Sequence, residues 1–246
     1  CGGYIYTGEG QDLGQFWAEL NVGNAKVKKT TANEIVTNGN AMYSIVGATF
    51  GIFLDQNCSN QIGTLTTNEN GDTNEVEVTA GTVYIKELSA PKGYKLDTTV
   101  HSLKVEVGKT ATLTVTDTPK VTETLIDLFK IDMETGKSTP QGNASLEGAE
   151  FTWSYYDGYY NADNLPAKAT RTWTTKTVAE KDSDGTIRYV SRLADSYKVS
   201  GDSFYTQDGK NVLPLGTFTV TETKAPNGYL LDGAYMQTDG SSEQIK

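Results

Sequence analysis

The amino-acid sequence predicts an all-β protein built from two tandem β-sandwiches. The first observation is composition: the 246 residues include 25 Gly, 6 Pro and 14 Tyr, with many Thr and Val. Such a mixture favours short strands and turns over helices. The second observation is length, which suffices for two ordinary domains that each bury a core. The third is an internal repeat, in which one strand-and-turn pattern occurs twice.

The repeated pattern is a strand that carries a Glu, followed by Ala-Pro-x-Gly-Tyr. Its two copies occupy residues 84–94 and 218–229. Strand alternation places Glu87 and Glu222 each on the apolar face of its strand. A carboxylate in that position is costly unless it is neutralised or paired. The Pro then ends the strand pairing and the Gly turns the chain, so both copies predict a strand that delivers an inward-facing acid.

This motif resembles the late-strand signature of CnaB-type (SpaA, prealbumin-like) domains of Gram-positive surface proteins and pilins. The resemblance implies immunoglobulin-like, prealbumin-like sandwiches. It also implies that the Glu assists a spontaneous amide bond between a Lys near the start of the domain and an Asn or Asp in its last strand. The implied location is extracellular, on the bacterial cell wall. The implied role is a stalk or pilin-like segment that holds an adhesive tip away from the cell.

The first domain is predicted over residues 25–119. Its opening strand alternates so that Lys29 shares a face with small and apolar residues. A Gly-Ala strand follows at 45–53, close to the Leu-x-Gly-Ala-x-Phe strand of the family. The closing strand places Asp117 in line with apolar residues, and Pro119 ends it.

The second domain is predicted over residues 123–246. Lys130 repeats the alternation of the first domain, and Glu222 supplies its acid. The Lys-to-Glu spacing is much longer than in the first domain, and the extra residues fall largely in 153–210. We therefore expect long loops or added strands in that insertion.

The last strand of the second domain is expected to be missing. The spacing from Glu87 to Asp117, counted from Glu222, ends beyond Lys246. The second domain is therefore predicted to be truncated, with no acceptor for Lys130 within the sequence. Residues 1–24 are Gly-rich and are interpreted as an N-terminal remnant or linker.

Three groups of the first domain have the chemistry of amide formation. A neutral amine attacks a polarised carboxyl carbon, and burial lowers the pKa of an amine and raises that of a carboxylic acid. The resemblance assigns Lys29 as nucleophile, Asp117 as acceptor and Glu87 as proton shuttle. The alternative is a buried ionic cluster of the same residues without a covalent bond. Lys28 is a second candidate nucleophile, but its strand parity points it outward.

Composition excludes several other functions. The net charge of −10 argues against nucleic-acid binding, because no basic stripe could neutralise phosphates. A single histidine, His101, and two cysteines leave no evident catalytic pair and no zinc-ligand spacing. No metal or other cofactor is expected, no apolar run is long enough to span a membrane, and no turnover of a separate substrate is expected.

Two kinds of partner remain. The stalk interpretation predicts contacts with other domains of the same surface protein. The alternative is a ligand-binding adhesin module, in which the 153–210 insertion binds a host protein or glycan through its many aromatic residues. An exposed aromatic patch would favour the adhesin, and buried aromatic residues would favour the stalk.

Overall fold

The protein is described by a computed structural model. It describes residues 2–6, 12–17, 21–231, 234–236 and 242–244. The chain divides into two compact units, one of residues 1–32 and 43–119 and the other of residues 33–42 and 120–246. Cys1 lies outside the described residues, as does part of the predicted N-terminal segment.

The first unit is made of nine described strands. They are β1 Gly2–Tyr6, β2 Asp12–Trp17, β3 Val22–Thr31, β4 Thr49–Phe53, β5 Gln61–Thr66, β6 Val76–Thr79, β7 Gly81–Ser89, β8 Val100–Val105 and β9 Thr110–Asp117. β1 and β2 form a two-stranded hairpin. The others form a three-stranded sheet, β6-β3-β9, and a four-stranded sheet, β5-β4-β7-β8.

The core of the first unit lies between its two larger sheets. Alternate residues of β3 and β7 are buried, so each strand turns one face inward, as the sequence pattern predicts. The main core cluster consists of Ala25, Val27, Ala48, Phe50, Ile52, Leu65, Val78, Val83, Ile85, Val105 and Val115. β9 pairs in parallel with β3, which brings the first and last strands of the sandwich side by side.

The second unit contains two short helices and twelve described strands. They are α1 Glu34–Thr37, β10 Val121–Glu123, β11 Leu128–Lys130, β12 Glu150–Tyr156, a 3-10 helix Ala162–Asn164, β13 Arg171–Lys176, β14 Val178–Lys181, β15 Ile187–Ser191, β16 Lys198–Gly201, β17 Tyr205–Gln207, β18 Lys210–Pro214, β19 Thr217–Lys224, β20 Ala234–Met236 and β21 Ser242–Gln244. The sheets are β16-β13-β12-β19, β11-β15-β14, β10-β18-β17 and the hairpin β20-β21.

The predicted insertion forms added strands. β13 to β17 all lie within residues 153–210, and β13 and β16 extend the sheet that holds β12 and β19. Trp153 and Trp173 are buried at the centre of that sheet. Their rings pack against Phe218 with ring centroids 5.9 and 6.0 Å apart. The insertion therefore enlarges the core of the second unit.

Residues 33–42 lie in the second unit, although they fall inside the range predicted for the first domain. Asn33 caps α1, and its Nδ2 donates to the carbonyl oxygen of Thr206. Asn40 is buried, and its Nδ2 donates to Tyr155 Oη at 2.7 Å and to the carbonyl oxygen of Leu215 at 3.2 Å. These side-chain amides satisfy polar groups of the second unit, a role that strand periodicity does not reveal.

Candidate functional site

Three strands bring the predicted residues of the first domain together. Lys29 faces inward on β3, opposite Val115 of β9, and Asp117 follows two residues later on the same face of β9. Glu87 faces inward from β7 in the other sheet, where it pairs with Phe50 of β4. The site therefore spans the sandwich and joins both sheets.

The three charged side chains are in direct contact in the core. Lys29 Nζ donates to Glu87 Oε1 at 2.6 Å and lies 2.6 Å from Asp117 Oδ2. Each of the three residues is at most 3% exposed. Such complete burial of three ionisable groups is rare, because each charge loses its hydration. Their arrangement places an amine nitrogen at reacting distance from a carboxyl group.

Burial raises the pKa of the Glu87 carboxyl above its ordinary value. Loss of hydration is the largest cause, while hydrogen bonds from Lys29 and from the backbone of Asp97 oppose it. The negative charge of Asp117 raises the pKa further. A second carboxyl group beside one amine is unfavourable in an apolar site, and this crowding acts in the same direction as burial on the pKa of Glu87.

The Asp117 carboxyl lies against the Lys29 amine and is short of hydrogen-bond partners. Among the described residues, neither of its oxygens accepts a hydrogen bond of good geometry, although Oδ2 touches the Lys29 amine. A buried carboxylate without hydrogen bonds is costly. An amide bond would remove that charge and consume the amine at the same time.

Two supporting groups were not identified from the sequence. The backbone N–H of Asp97 donates to Glu87 Oε2 at 2.8 Å, which orients the carboxyl group. The Phe50 ring lies under Lys29, with Nζ 4.9 Å from its centroid. A sequence signal existed for each: Phe50 belongs to the Gly-Ala strand, and Asp97 follows the repeated motif by three residues. Asp232 has the same offset in the second copy and lies outside the described residues.

Lys28 is placed as its parity predicts. It points away from the core and pairs with Asp72 at 2.9 Å, with more than a third of its side chain exposed. Lys28 thus does not contact Glu87 or Asp117 and serves as a natural comparison for Lys29.

The second unit repeats half of this site. Lys130 Nζ donates to Glu222 Oε2 at 2.6 Å, and Glu222 of β19 pairs with Phe151 of β12, as Glu87 pairs with Phe50. The Lys130 and Glu222 side chains are 18% and 17% exposed, so this pair is less enclosed than the pair in the first unit.

Asp132 is not an acceptor for Lys130. Its buried carboxyl accepts from Gln141 Nε2, from the backbone N–H of Thr135 and from Tyr229 Oη. These hydrogen bonds, led by that of Gln141, hold its pKa well below the ordinary range. Tyr229 closes the second copy of the repeated motif, so in this unit the motif also anchors the turn after the Lys strand.

The site thus belongs to a sandwich domain that buries a Lys on its first strand, an Asp on its last strand and a Glu on the facing sheet. The sequence comparison identifies the family of such a domain. The SpaA prealbumin-like fold domain matches residues 23–119 and 131–240. These two matches cover most of the chain. The chain therefore belongs to the SpaA prealbumin-like fold family, with two copies of the domain, and the fold and family predicted from sequence are confirmed.

Comparison with individual proteins gives three further similarities. The trypsin-resistant surface T6 protein of Streptococcus pyogenes serotype M6 is 41% identical over 59 residues, which are 24% of this chain and 11% of that protein. The Bacillus anthracis TIE protein is 25% identical, with a TM-score of 0.50, over 86% of this chain and 30% of that chain.

A C-terminal fragment of the pilus adhesin SpaC from Lactobacillus rhamnosus GG is 18% identical, with a TM-score of 0.44, over 90% of this chain and 82% of the fragment. The T6 and TIE matches thus span less than a third of each of those proteins. In the described part of the chain, no helix has the length and apolar character needed to cross a lipid bilayer.

Proposed function

We propose that this chain is a structural segment of a Gram-positive cell-surface protein, of the stalk or pilin-like kind, and that an amide bond between Lys29 and Asp117 closes its first domain. The observation that carries this proposal is the contact of a buried amine with two buried carboxyl groups. Family membership and the similarity to the trypsin-resistant surface T6 protein support the extracellular, structural role. In the proposed role the chain turns over no separate substrate.

The reaction needs no group from outside the domain. With Glu87 protonated, the Lys29 ammonium first passes a proton to the Asp117 carboxyl, and the neutral Nζ then attacks Cγ of Asp117 while Glu87 donates its proton to the carboxyl oxygen. The Nζ–Cγ bond forms, an N–H bond and a C–OH bond break, and one water leaves. Glu87 then recovers a proton from the nitrogen. The folded sandwich supplies proximity and an apolar setting, which are the main requirements of the reaction.

The bond would tie the first strand of the domain to the last. β3 and β9 are parallel neighbours, so a pull on the two ends of the sandwich loads this tie directly. The tie also restricts the unfolded chain, as a disulfide does. Both effects suit a segment that transmits force along a surface protein.

The insertion supports the stalk over the adhesin alternative. Trp153, Trp173 and Tyr155 are fully buried, and Tyr156 is nearly so. Four tyrosines lie between residues 155 and 160 of the insertion. Of these, Tyr159 alone is strongly exposed. Most of the aromatic residues of the insertion thus pack into the core of the second unit, which favours the stalk over a host-ligand platform.

The decisive measurement is the intact mass of the chain and of two lysine variants. We expect the parent to be lighter than its sequence by one water, and Lys29→Ala to lack this deficit. Lys28→Ala is the matched control, and it should keep the deficit because Lys28 faces solvent. A parent mass equal to that of the plain sequence would overturn the covalent proposal and leave a buried ionic cluster.

A further inference from the structure

The single histidine of the sequence, His101, lies on the strand next to that of Glu87. It stands on β8 opposite Ile85 of β7, so its side chain is on the core side of the sheet. Ile85 precedes Glu87 by two residues on the same face of β7. The imidazole is partly exposed, but its Nε2 is buried and has no hydrogen-bond partner among the described residues. Amide formation as described above leaves this ring nitrogen unused.

The group that faces this nitrogen is the carboxyl of Asp97. Nε2 of His101 lies 3.6 Å from Oδ2 of Asp97, which is longer than a hydrogen bond, while Oδ1 accepts from the backbone N–H of Thr99 at 2.9 Å. Hydrogen bonding to Thr99 is the largest cause that lowers the pKa of Asp97 below its ordinary value, and the imidazole lowers it further. A protonated imidazole donates from both nitrogens and forms the stronger, charge-assisted hydrogen bond.

Asp97 belongs to the 90–99 loop, which connects the strand of the acid to the strand of the acceptor. The backbone N–H of Lys95 donates to the carbonyl oxygen of Thr118 at 3.0 Å, one residue beyond the end of β9. Two residues later, the backbone N–H of Asp97 donates to Glu87 Oε2 at 2.8 Å. A movement of the loop at Asp97 therefore moves the N–H that orients Glu87.

The pair of His101 and Asp97 is open to solvent, unlike the site that it adjoins. The two side chains are 33% and 36% exposed, whereas that of Glu87 is 1% exposed. A cleft of about 330 Å³ opens at Asp97 and is lined by Lys95, Leu96, Asp97, Thr116 and Thr118. Histidine is the side chain that changes its charge between about pH 5 and pH 8. The pair can therefore respond to the pH of the medium.

Few other ionisable groups lie around the imidazole among the described residues. On the core side of the neighbouring strands they are Glu87 of β7 and Asp117 of β9, both of which contact the amine of Lys29. Lys104 of β8 is exposed on the opposite face of the strand. Asp97 is thus the carboxylate that a proton on the imidazole would bind.

We propose that His101 is a positioning residue for amide formation in the first domain: as an imidazolium it binds the Asp97 carboxylate and holds the Asp97 N–H against Glu87. This role rests on the proposed function, because it controls the formation of the same bond. As the pH rises and the imidazole loses its proton, the loop is held less firmly and Glu87 is oriented for less of the time. The domain therefore closes faster in mildly acidic than in neutral surroundings, beyond the pH dependence of Glu87 itself.

Hydrogen exchange at the Asp97 amide, measured by NMR in the full chain, tests the contact without requiring the covalent bond. His101→Gln keeps a neutral donor but lacks the charge. We expect the protection of this amide in the parent to exceed that in His101→Gln about tenfold at pH 5.5, as for one charge-assisted hydrogen bond, and to equal it at pH 7.5. Lys104→Gln, which removes an exposed charge from the same strand, should match the parent at both pH values. A parent-to-variant ratio that does not change with pH overturns the proposal.

The rate of bond formation gives the second test. A full chain with a photocaged lysine at position 29 is illuminated at each pH, and the loss of one water is followed by intact mass. We expect His101→Gln to react about tenfold more slowly than the parent at pH 5.5 and equally fast at pH 7.5. Asp97→Asn keeps the backbone N–H and should slow the reaction in the same way. The double variant should be no slower than either single variant, because both remove one interaction.

The outcomes separate the two proposals. Additive slowing in the double variant, or equal slowing at both pH values, overturns the role of His101 while leaving the bond itself established. A parent that loses no water at any pH overturns the proposed function, and with it the role of His101 in bond formation. Unchanged exchange of the Asp97 amide in a parent that does lose water overturns the role of His101 alone.

Discussion

The chemistry of Glu87 depends on its one exchangeable proton, and a conservative change isolates it. Glu87→Gln keeps the size of the side chain and one of its two accepted hydrogen bonds, those from Lys29 Nζ and the Asp97 backbone N–H, but removes the acid. We expect this variant to fold and to have the full mass of its sequence, because no group then carries the proton from Lys29. Intact mass spectrometry measures the result.

Glu77→Gln is the matched control for this change, since Glu77 is an exposed glutamate of β6 in the same domain. It should keep the water deficit. A deficit that persists in Glu87→Gln would show that another group, or solvent alone, moves the proton, and Glu87 would then have only a structural role.

The raised pKa of Glu87 predicts a pH dependence in a chain that cannot form the bond. In Lys29→Met the acid is buried without its amine, and its pKa rises further. A folded-state pKa above the unfolded value of 4.5 means that the folded domain binds the proton more tightly. This contribution to stability is complete below pH 4.5 and is lost as the pH rises through the folded pKa.

The measurement compares Lys29→Met with Lys29→Met/Glu87→Gln by thermal unfolding of the first domain between pH 4 and pH 8. We expect the free energy of unfolding of Lys29→Met to fall, relative to that of Lys29→Met/Glu87→Gln, as the pH rises. The total fall is about 1.4 kcal/mol for each pH unit by which the folded pKa of Glu87 exceeds its unfolded pKa. Other acids titrate equally in both variants. Parallel curves would show that the pKa of Glu87 is the same in the folded and unfolded chains.

At the scale of the element, β3 is held in place by a turn as well as by its neighbours. Gly71 has φ of +80°, and its carbonyl oxygen accepts from the backbone N–H of Lys29 at 2.7 Å. A Cβ at this position would collide with the carbonyl oxygen of Lys29. Gly71→Ala should therefore shift the lysine strand as well as strain the turn.

Gly108 provides the comparison, because it has φ of +70° and open space where a Cβ would project. Both alanine variants bear the cost of a left-handed backbone, on the order of 1–3 kcal/mol. We expect Gly71→Ala to lower the melting temperature of the first domain more than Gly108→Ala, and to retain less of the water deficit. Equal effects in the two variants would show that the Lys29 backbone accommodates the added methyl group.

At the scale of the molecule, the bond decides how far the first domain can be extended. A covalent bond from Lys29 to Asp117 prevents the residues between them from extending under force. Without the bond, this segment would extend to roughly 300 Å. Single-molecule pulling should therefore show a contour length shorter by about this amount in the parent than in Lys29→Ala. Lys28→Ala should extend no further than the parent. Equal extension of parent and Lys29→Ala would exclude a tie between the two strands.

Much of the first site could be predicted from sequence because strand alternation is a strict rule. Lys29, Glu87 and Asp117 each stand in a row of apolar residues, and a period of two fixes the face to which they point. The repeated motif then supplied the family, since two copies in the same frame are far more specific than one. The domain bounds of 25–119 and 123–246 and the roles of the site residues remain predictions.

What the sequence determined by itself was the all-β class, the two copies of the domain and the inward direction of the acids and lysines. Only the tertiary structure determined the distances between side chains, their hydrogen-bond partners and the neighbours of each strand. It showed that the Asp97 backbone orients Glu87, that residues 33–42 satisfy polar groups of the second unit, and that β11 pairs with β15 in a sheet separate from the one that holds Glu222. The reason is physical: periodicity reports which face a side chain takes, whereas hydrogen bonds and strand neighbours depend on residues distant in the chain.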